Sequence, residues 1–258
     1  MRIELIDYTV LIAFWLSYTR WVTILFQIPI FDNMTIPSLV KVLTSLIIAY
    51  AFFPITQPLV MADINYVGVD NFWYLTIFYA VVGLVIGQIV KTLMNIFIAS
   101  GSIITQQVGF GAVAYFDPTA GQRVGPFEKL IQWTMIILII SSGALLPMFK
   151  GVVASFHSIH LYDLGKFATS PIYFMELFKS IFLSSILLAT PIIFTNITLM
   201  SVLGIISRAV PQMNIIMVSF VVNIGMGLLV FLATSNEYFE VAFKIYTEKL
   251  GEWFQFIS

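Results

Sequence analysis

Apolar residues run along this chain in long blocks, separated by short polar links, and the blocks have helical rather than strand length. The first covers 8–30 and ends in a loop with turn chemistry at Asp32, Asn33 and Pro37. The second covers 39–60, with Pro54 and Pro58 expected to break its far end, and the polar link 62–71 follows. The third is 72–100, and the fourth, 130–149, is expected to kink or end at Gly143 and Pro147. The fifth, 172–207, is expected to divide at Pro191, and the sixth covers 215–233. At 1.5 Å per residue the first block reaches roughly 34 Å, enough to cross a hydrocarbon core. The fifth would reach roughly 54 Å as one helix, too long for a single upright crossing. The pattern predicts an all-α, polytopic membrane protein with about six long hydrophobic helical segments, some broken or kinked.

The stretch 101–125 interrupts this pattern. It holds Gly101, Gly109, Gly111, Gly121 and Gly125, the amides Gln106 and Gln107, the aromatics Phe110, Tyr115 and Phe116, and the turn signal Asp117-Pro118. It is too apolar for an ordinary solvent loop and reads as too glycine-rich for a stable helix. Irregular backbone at membrane depth is tolerated inside protein or against a water-filled cavity. The stretch therefore either lies across such a cavity or is a long connector between two helices.

Polar residues inside the apolar blocks carry the remaining signals. Arg20 falls within the first, where an ionisable group costs about 2.5–3.5 kcal/mol unless it faces protein or water. Gly83 and Gly87 form a Gly-x-x-x-Gly that lets a neighbouring backbone approach closely. Gln88, Lys91 and Asn95 make one strip at helical spacing. The link 150–170 looks the most soluble and holds both histidines, His157 and His160. Without a neighbouring Glu, Asp or Cys they form a poor metal site and are expected at the surface. Arg208, Pro211, Gln212, Met213 and Asn214 make a compact polar turn between two apolar runs. Beyond 233, Glu237, Glu240, Lys244, Glu248 and Glu252 face away from Phe239, Phe243, Tyr246, Leu250, Trp253 and Phe254, an amphipathic helix whose acidic bias favours docking on a partner over binding anionic lipid.

Composition supports the membrane reading: of 258 residues, 60% are hydrophobic and 10% charged, with mean hydropathy +0.99. A net charge of −1 suggests no nucleic-acid partner, and the absence of cysteine excludes disulfides and thiolate metal sites. The N-terminus reads as a retained first helix, because Arg2 is offset by Glu4 and Asp7 and no small-residue cleavage pattern follows. Lys and Arg divide evenly between the two sides of a six-span arrangement, so charge sets no orientation and some segments need not cross the bilayer.

No catalytic triad, metalloprotease helix or phosphate-binding loop is visible, so the chain reads as non-enzymatic, with no cofactor and no metal. Acids lie mainly at segment ends and in links, and segments two to four and six carry none in their cores, which argues against an ion-coupled carrier. The 11 Met and 24 Phe suit core packing or, alternatively, a soft lining for an unstructured polypeptide.

These residues resemble the FliR family, the export-gate subunits of flagellar type III secretion with relatives in injectisomes. The likeness runs from Arg20, Pro29, Pro37 and Lys41 through Gly83 and Gly87 to the block Gln106-Gln107-Val108-Gly109-Phe110 that leads to Asp117-Pro118. It ends at Arg208-x-x-Pro211-Gln212-x-Asn214 and Gly225, and it departs at Tyr79, where the family more often carries a polar or acidic residue. The resemblance implies a single export-gate domain that looks like a fusion of the FliP and FliQ subunits. Its helical halves would be 1–129 and 130–233, with the tail 234–258. Its partners would be FliP-like, FliQ-like and FlhB-like membrane subunits and the unfolded proteins in transit, at the bacterial inner membrane and flagellar basal body. It also implies that Gln106, Gln107, Gly109, Phe110, Gly111, Tyr115, Phe116, Asp117 and Pro118 belong to a plug loop entering the pore. Arg20, Pro29, Gly83, Gly87, Arg208, Pro211 and Gln212 would serve packing or assembly. A small-molecule or ion transporter and a purely structural subunit of an injectisome are the alternatives.

Overall fold

The computed structural model describes residues 8–28, 36–111, 125–162, 171–212 and 214–257, and among these every regular element is a helix. In chain order they are α1 (Tyr8–Leu25), α2 (Ser38–Val67), a 3-10 turn at Val69–Asn71, α3 (Phe72–Val108), α4 (Pro126–Ser141), α5 (Leu145–Ser158), α6 (Pro171–Ala209) and α7 (Ile215–Ile257). Five are long and apolar enough to cross a membrane, or six segments if α4 and α5 form one broken span. The break between them falls at Gly143, whose φ of 74° is costly for any residue with a Cβ.

Three expectations about where helices stop are corrected. Pro54 and Pro58 lie inside α2, and Pro191 lies inside α6. In apolar surroundings a true break would expose several backbone groups at once, whereas an in-line proline frees one carbonyl. The third correction concerns the glycine-rich stretch, whose first turns are helical: α3 continues through Gly101 to Val108. The sixth block and the tail are likewise continuous in α7.

The chain divides into two compact units. The first comprises 1–93, 143–174 and 248–258. In it α2 packs along α1 and against α5. Trp21 stacks on Phe52 with ring centroids 5.1 Å apart and meets Phe149 at 6.0 Å, while Phe14 meets Phe53 edge-on. These rings pack beside the buried aliphatic side chains of the three helices, among them Leu16, Ile24, Ile64 and Met148. Gly83 and Gly87 make the contact of α3 with the end of the α1 segment close. A Cβ on Gly83 would overlap Thr23 and lie 2.8 Å from the Arg20 carbonyl oxygen, and one on Gly87 would meet the Gln27 amide at 2.6 Å. Gln27 in turn donates to the Leu84 carbonyl at 2.9 Å.

The second unit comprises 94–142 and 175–247. Its core includes Phe97, Ile104, Phe127, Ile131, Met135, Leu188, Phe231 and Tyr238. Phe127 and Phe231 meet edge-on at 4.9 Å. Ser185 crosses from α6 to donate to the Ile96 carbonyl at 3.1 Å, and Ser100 bonds the Tyr238 hydroxyl.

Along the former tail, Glu237, Glu240, Lys244, Glu248 and Glu252 are exposed, while Tyr246, Leu250 and Trp253 are buried. The amphipathic face is therefore used within this chain. The strip in α3 is uneven: Gln88 is exposed, whereas Lys91 and Asn95 are half-buried.

Candidate functional site

Two polar centres stand out, one in each unit. The first is the root of the glycine-rich stretch. Gly101 lies where α3 and α4 come so close that a Cβ would sit 2.6 Å from the Glu128 Cα. One turn on, a Cβ on Gly125 would overlap the side chain of Thr105. Phe110 faces Phe127 with ring centroids 5.9 Å apart. Described residues on either side of 112–124 are thus held against one another.

Two further helices hold this base. Asn196 of α6 donates to the Gln107 carbonyl oxygen at 2.9 Å and to its side-chain oxygen. Carbonyls in the last turn of a helix have no partner within it, so Asn196 supplies one. From α7, Gly227 admits Val108, whose Cγ2 lies 2.6 Å from where a Cβ would be. Gly109, at φ 99°, ends α3 beside Phe220 and Ile224. Asn223, on the same stretch of α7, is 7% exposed, and among the described residues neither its side-chain oxygen nor that of Asn196 has a hydrogen-bond partner.

Of the expected plug residues, Gln106 is exposed, with its carbonyl accepting from Gly109 N–H at 3.1 Å. Gln107, Gly109, Phe110 and Gly111 are half-buried around the base. Tyr115, Phe116, Asp117 and Pro118 lie outside the described residues, as does Pro29. Arg208 is exposed in the last turn of α6, Pro211 and Gln212 are exposed in the turn that follows, and Asn214 accepts from Met217 N–H at 3.4 Å at the start of α7. They come near neither centre in the described contacts.

The second centre surrounds Arg20, which has no exposed surface. Its guanidinium lies 4.3 Å from the ring centroids of both Tyr79 and Phe156. It donates to the carbonyl oxygens of Ser155 at 3.0 Å and Ile159 at 3.4 Å. Those belong to the last turn and C-cap of α5, where unpaired carbonyls and the helix dipole both favour a cation. The Tyr79 hydroxyl donates to Asp63 Oδ2 at 2.6 Å, and His160 Nδ1 lies 3.1 Å from Asp63 Oδ1. Asp63 itself is fully buried. One acid thus compensates the buried cation through a tyrosine.

This centre corrects two expectations. Helix α2 runs past 60 to Val67, which places Asp63 inside an apolar helix rather than in a link. His160 also has an acid beside it and is not simply a surface residue, although His157 is exposed. Among the described residues no group of three or more His, Cys, Asp or Glu could hold a metal ion. The signal for Asp63 was Arg20: a cation fixed in one apolar block calls for an acid in another.

Among the described residues the arrangement is one of buried hydrogen bonds among apolar helices. The sequence profile of bacterial export proteins, family 1, matches residues 11–248. The flagellar biosynthetic protein FliR of Aquifex aeolicus (strain VF5) is 26% identical over 249 residues, covering 92% of this chain and 93% of its own length. FliR of Escherichia coli (strain K12) is 23% identical over 224 residues, covering 83% and 82%. The surface presentation of antigens protein SpaR of Shigella sonnei is 25% identical over 224 residues, covering 86% and 85%. An all-helical chain with several membrane-length helices, matched along nearly its whole length, belongs to bacterial export proteins, family 1, the family of FliR.

Proposed function

We propose that this chain is a subunit of a flagellar type III protein export gate in the bacterial inner membrane, at the flagellar basal body. In this reading the stretch 101–125 closes the channel through which unfolded flagellar proteins leave. The observation that carries it is the closed base: Thr105 against Gly125 and Phe110 against Phe127 hold both ends of 112–124 together. A segment anchored in this way yields without parting the helices beneath it. Its aromatic residues Tyr115 and Phe116 can fill a narrow lumen and be displaced by a passing chain. The partners are FliP-like, FliQ-like and FlhB-like subunits, with 1–129 and 130–233 as the two fused halves and 234–258 prolonging the last helix.

Deleting 113–122 tests the reading, because it leaves Thr105, Phe110, Gly125 and Phe127 in place. Cells carrying the assembled gate with this deletion should leak ions and small solutes. Background leak from a fully assembled gate contradicts the plug. The identity to SpaR favours a second reading, the equivalent subunit of an injectisome. Restoration of swimming in a strain lacking its own FliR supports the flagellar assignment, and restoration only of injectisome secretion supports the other.

A further inference from the structure

The His160 ring meets an acceptor at each nitrogen. Nε2 lies 3.0 Å from the His157 carbonyl oxygen, and Nδ1 lies 3.1 Å from Asp63 Oδ1. A carbonyl oxygen can only accept, so Nε2 carries a hydrogen. A neutral ring then presents a lone pair at Nδ1, directed at a carboxylate oxygen. The contact closes only when a second proton lies between Nδ1 and Oδ1, on whichever atom holds it. We propose that Asp63 and His160 form a proton-binding clasp that fastens the chain after α5 to α2 when protonated and releases it when the proton leaves for solvent.

The surroundings suit such a clasp. Asp63 is fully buried, while the His160 side chain is 12% exposed, so the histidine edge is the route by which the proton exchanges. From α1, Arg20 lies over the Tyr79 ring. From α3, the Tyr79 hydroxyl holds Asp63 Oδ2, which leaves Oδ1 for the clasp. From α2, Tyr66 packs on Tyr162 at 5.3 Å, and Tyr162 stacks on the His160 ring at 5.0 Å and 6°. His157 contributes its carbonyl, and its own side chain is exposed. Arg20 stays bound to the Ser155 and Ile159 carbonyls, so loss of the proton loosens the chain beyond α5 without freeing the helix end. Histidine is the side chain that ordinarily changes charge between about pH 5 and 8, which sets the range to scan. This inference does not depend on the export reading.

The native chain has no cysteine, so Leu161→Cys gives a single attachment point for a nitroxide label, on the chain beyond α5 and next to His160. In the full-length protein in detergent, label mobility should rise as pH increases from 5 to 8. His160→Asn offers an amide donor to Asp63 that does not titrate, and should abolish the transition, as should Asp63→Asn. His157→Gln should leave it intact. Because the chain has only two histidines, proton NMR resolves them separately. Asp63→Asn should shift the His160 midpoint and leave that of His157 unchanged. A transition that persists in His160→Asn, or a His160 midpoint indifferent to Asp63→Asn, overturns the proposal.

Discussion

The Arg20 centre and the root of the glycine-rich stretch both bury polar groups among apolar helices, but with opposite chemistry. Around Arg20 the members are charged or bonded to a charge: the guanidinium donates to two carbonyls, with its Nε left without a partner among the described residues, and Asp63 is met by Tyr79 and His160. At the root the members are neutral amides, Gln107, Asn196 and Asn223, two of which have an oxygen without a partner among the described residues. Removing one partner from a buried ionic set leaves an uncompensated charge, whereas a neutral amide that loses a partner costs roughly what one hydrogen bond is worth. Loss of a partner therefore costs more at the charged centre than at the amide root.

The contrast can be broken by substitution. The largest effect is expected from Arg20→Met, which strands Asp63 and the carbonyls of α5. It should destabilise the protein by about 3–5 kcal/mol, read as a large drop in thermal midpoint in detergent, and adding Asp63→Asn should recover part of the loss. Next is Gly83→Val, which drives a side chain into Thr23 and the Arg20 backbone. Overpacking of this kind costs about 1–3 kcal/mol, and adding Thr23→Ala should relieve only the side-chain part. Asn196→Ala should cost about 1 kcal/mol for its bonds to Gln107 while raising exchange of the amides around 107–109. The smallest effect is expected from Asn223→Leu, which replaces a buried amide whose oxygen has no partner among the described residues by an apolar group of similar size. Its thermal midpoint should be unchanged or slightly higher, and a loss as large as that of Arg20→Met would erase the distinction between the two centres.

Much of the architecture was legible because apolar block length is a strong signal. The all-helical class, the membrane-length segments and the polar turn at 210–212 follow from it. Helix ends were less legible, since proline and glycine penalties of about 1–3 kcal/mol are small beside the packing of helices of 30 to 43 residues. Pro54, Pro191 and Gly101 all sit inside helices for that reason. Gly101 and Gly83 were visible as glycines, but which backbone each one admits is a tertiary fact. Arg20 announced a buried charge centre without identifying Asp63 or His160, because the partners come from α2 and the end of α5, far away in sequence. Asn196 was visible as a polar group needing a partner, and Gln107 was identified only by the fold.

We propose that the stretch 101–125 faces the path of exported protein. A photocrosslinking side chain at Phe116, in the assembled gate with an export substrate arrested in transit, tests this most directly, with position 232, where Leu232 is 73% exposed on α7, as the control. The account predicts adducts between position 116 and the substrate and none from position 232. Adducts from 116 to lipid alone, or equal substrate labelling from both positions, would contradict it.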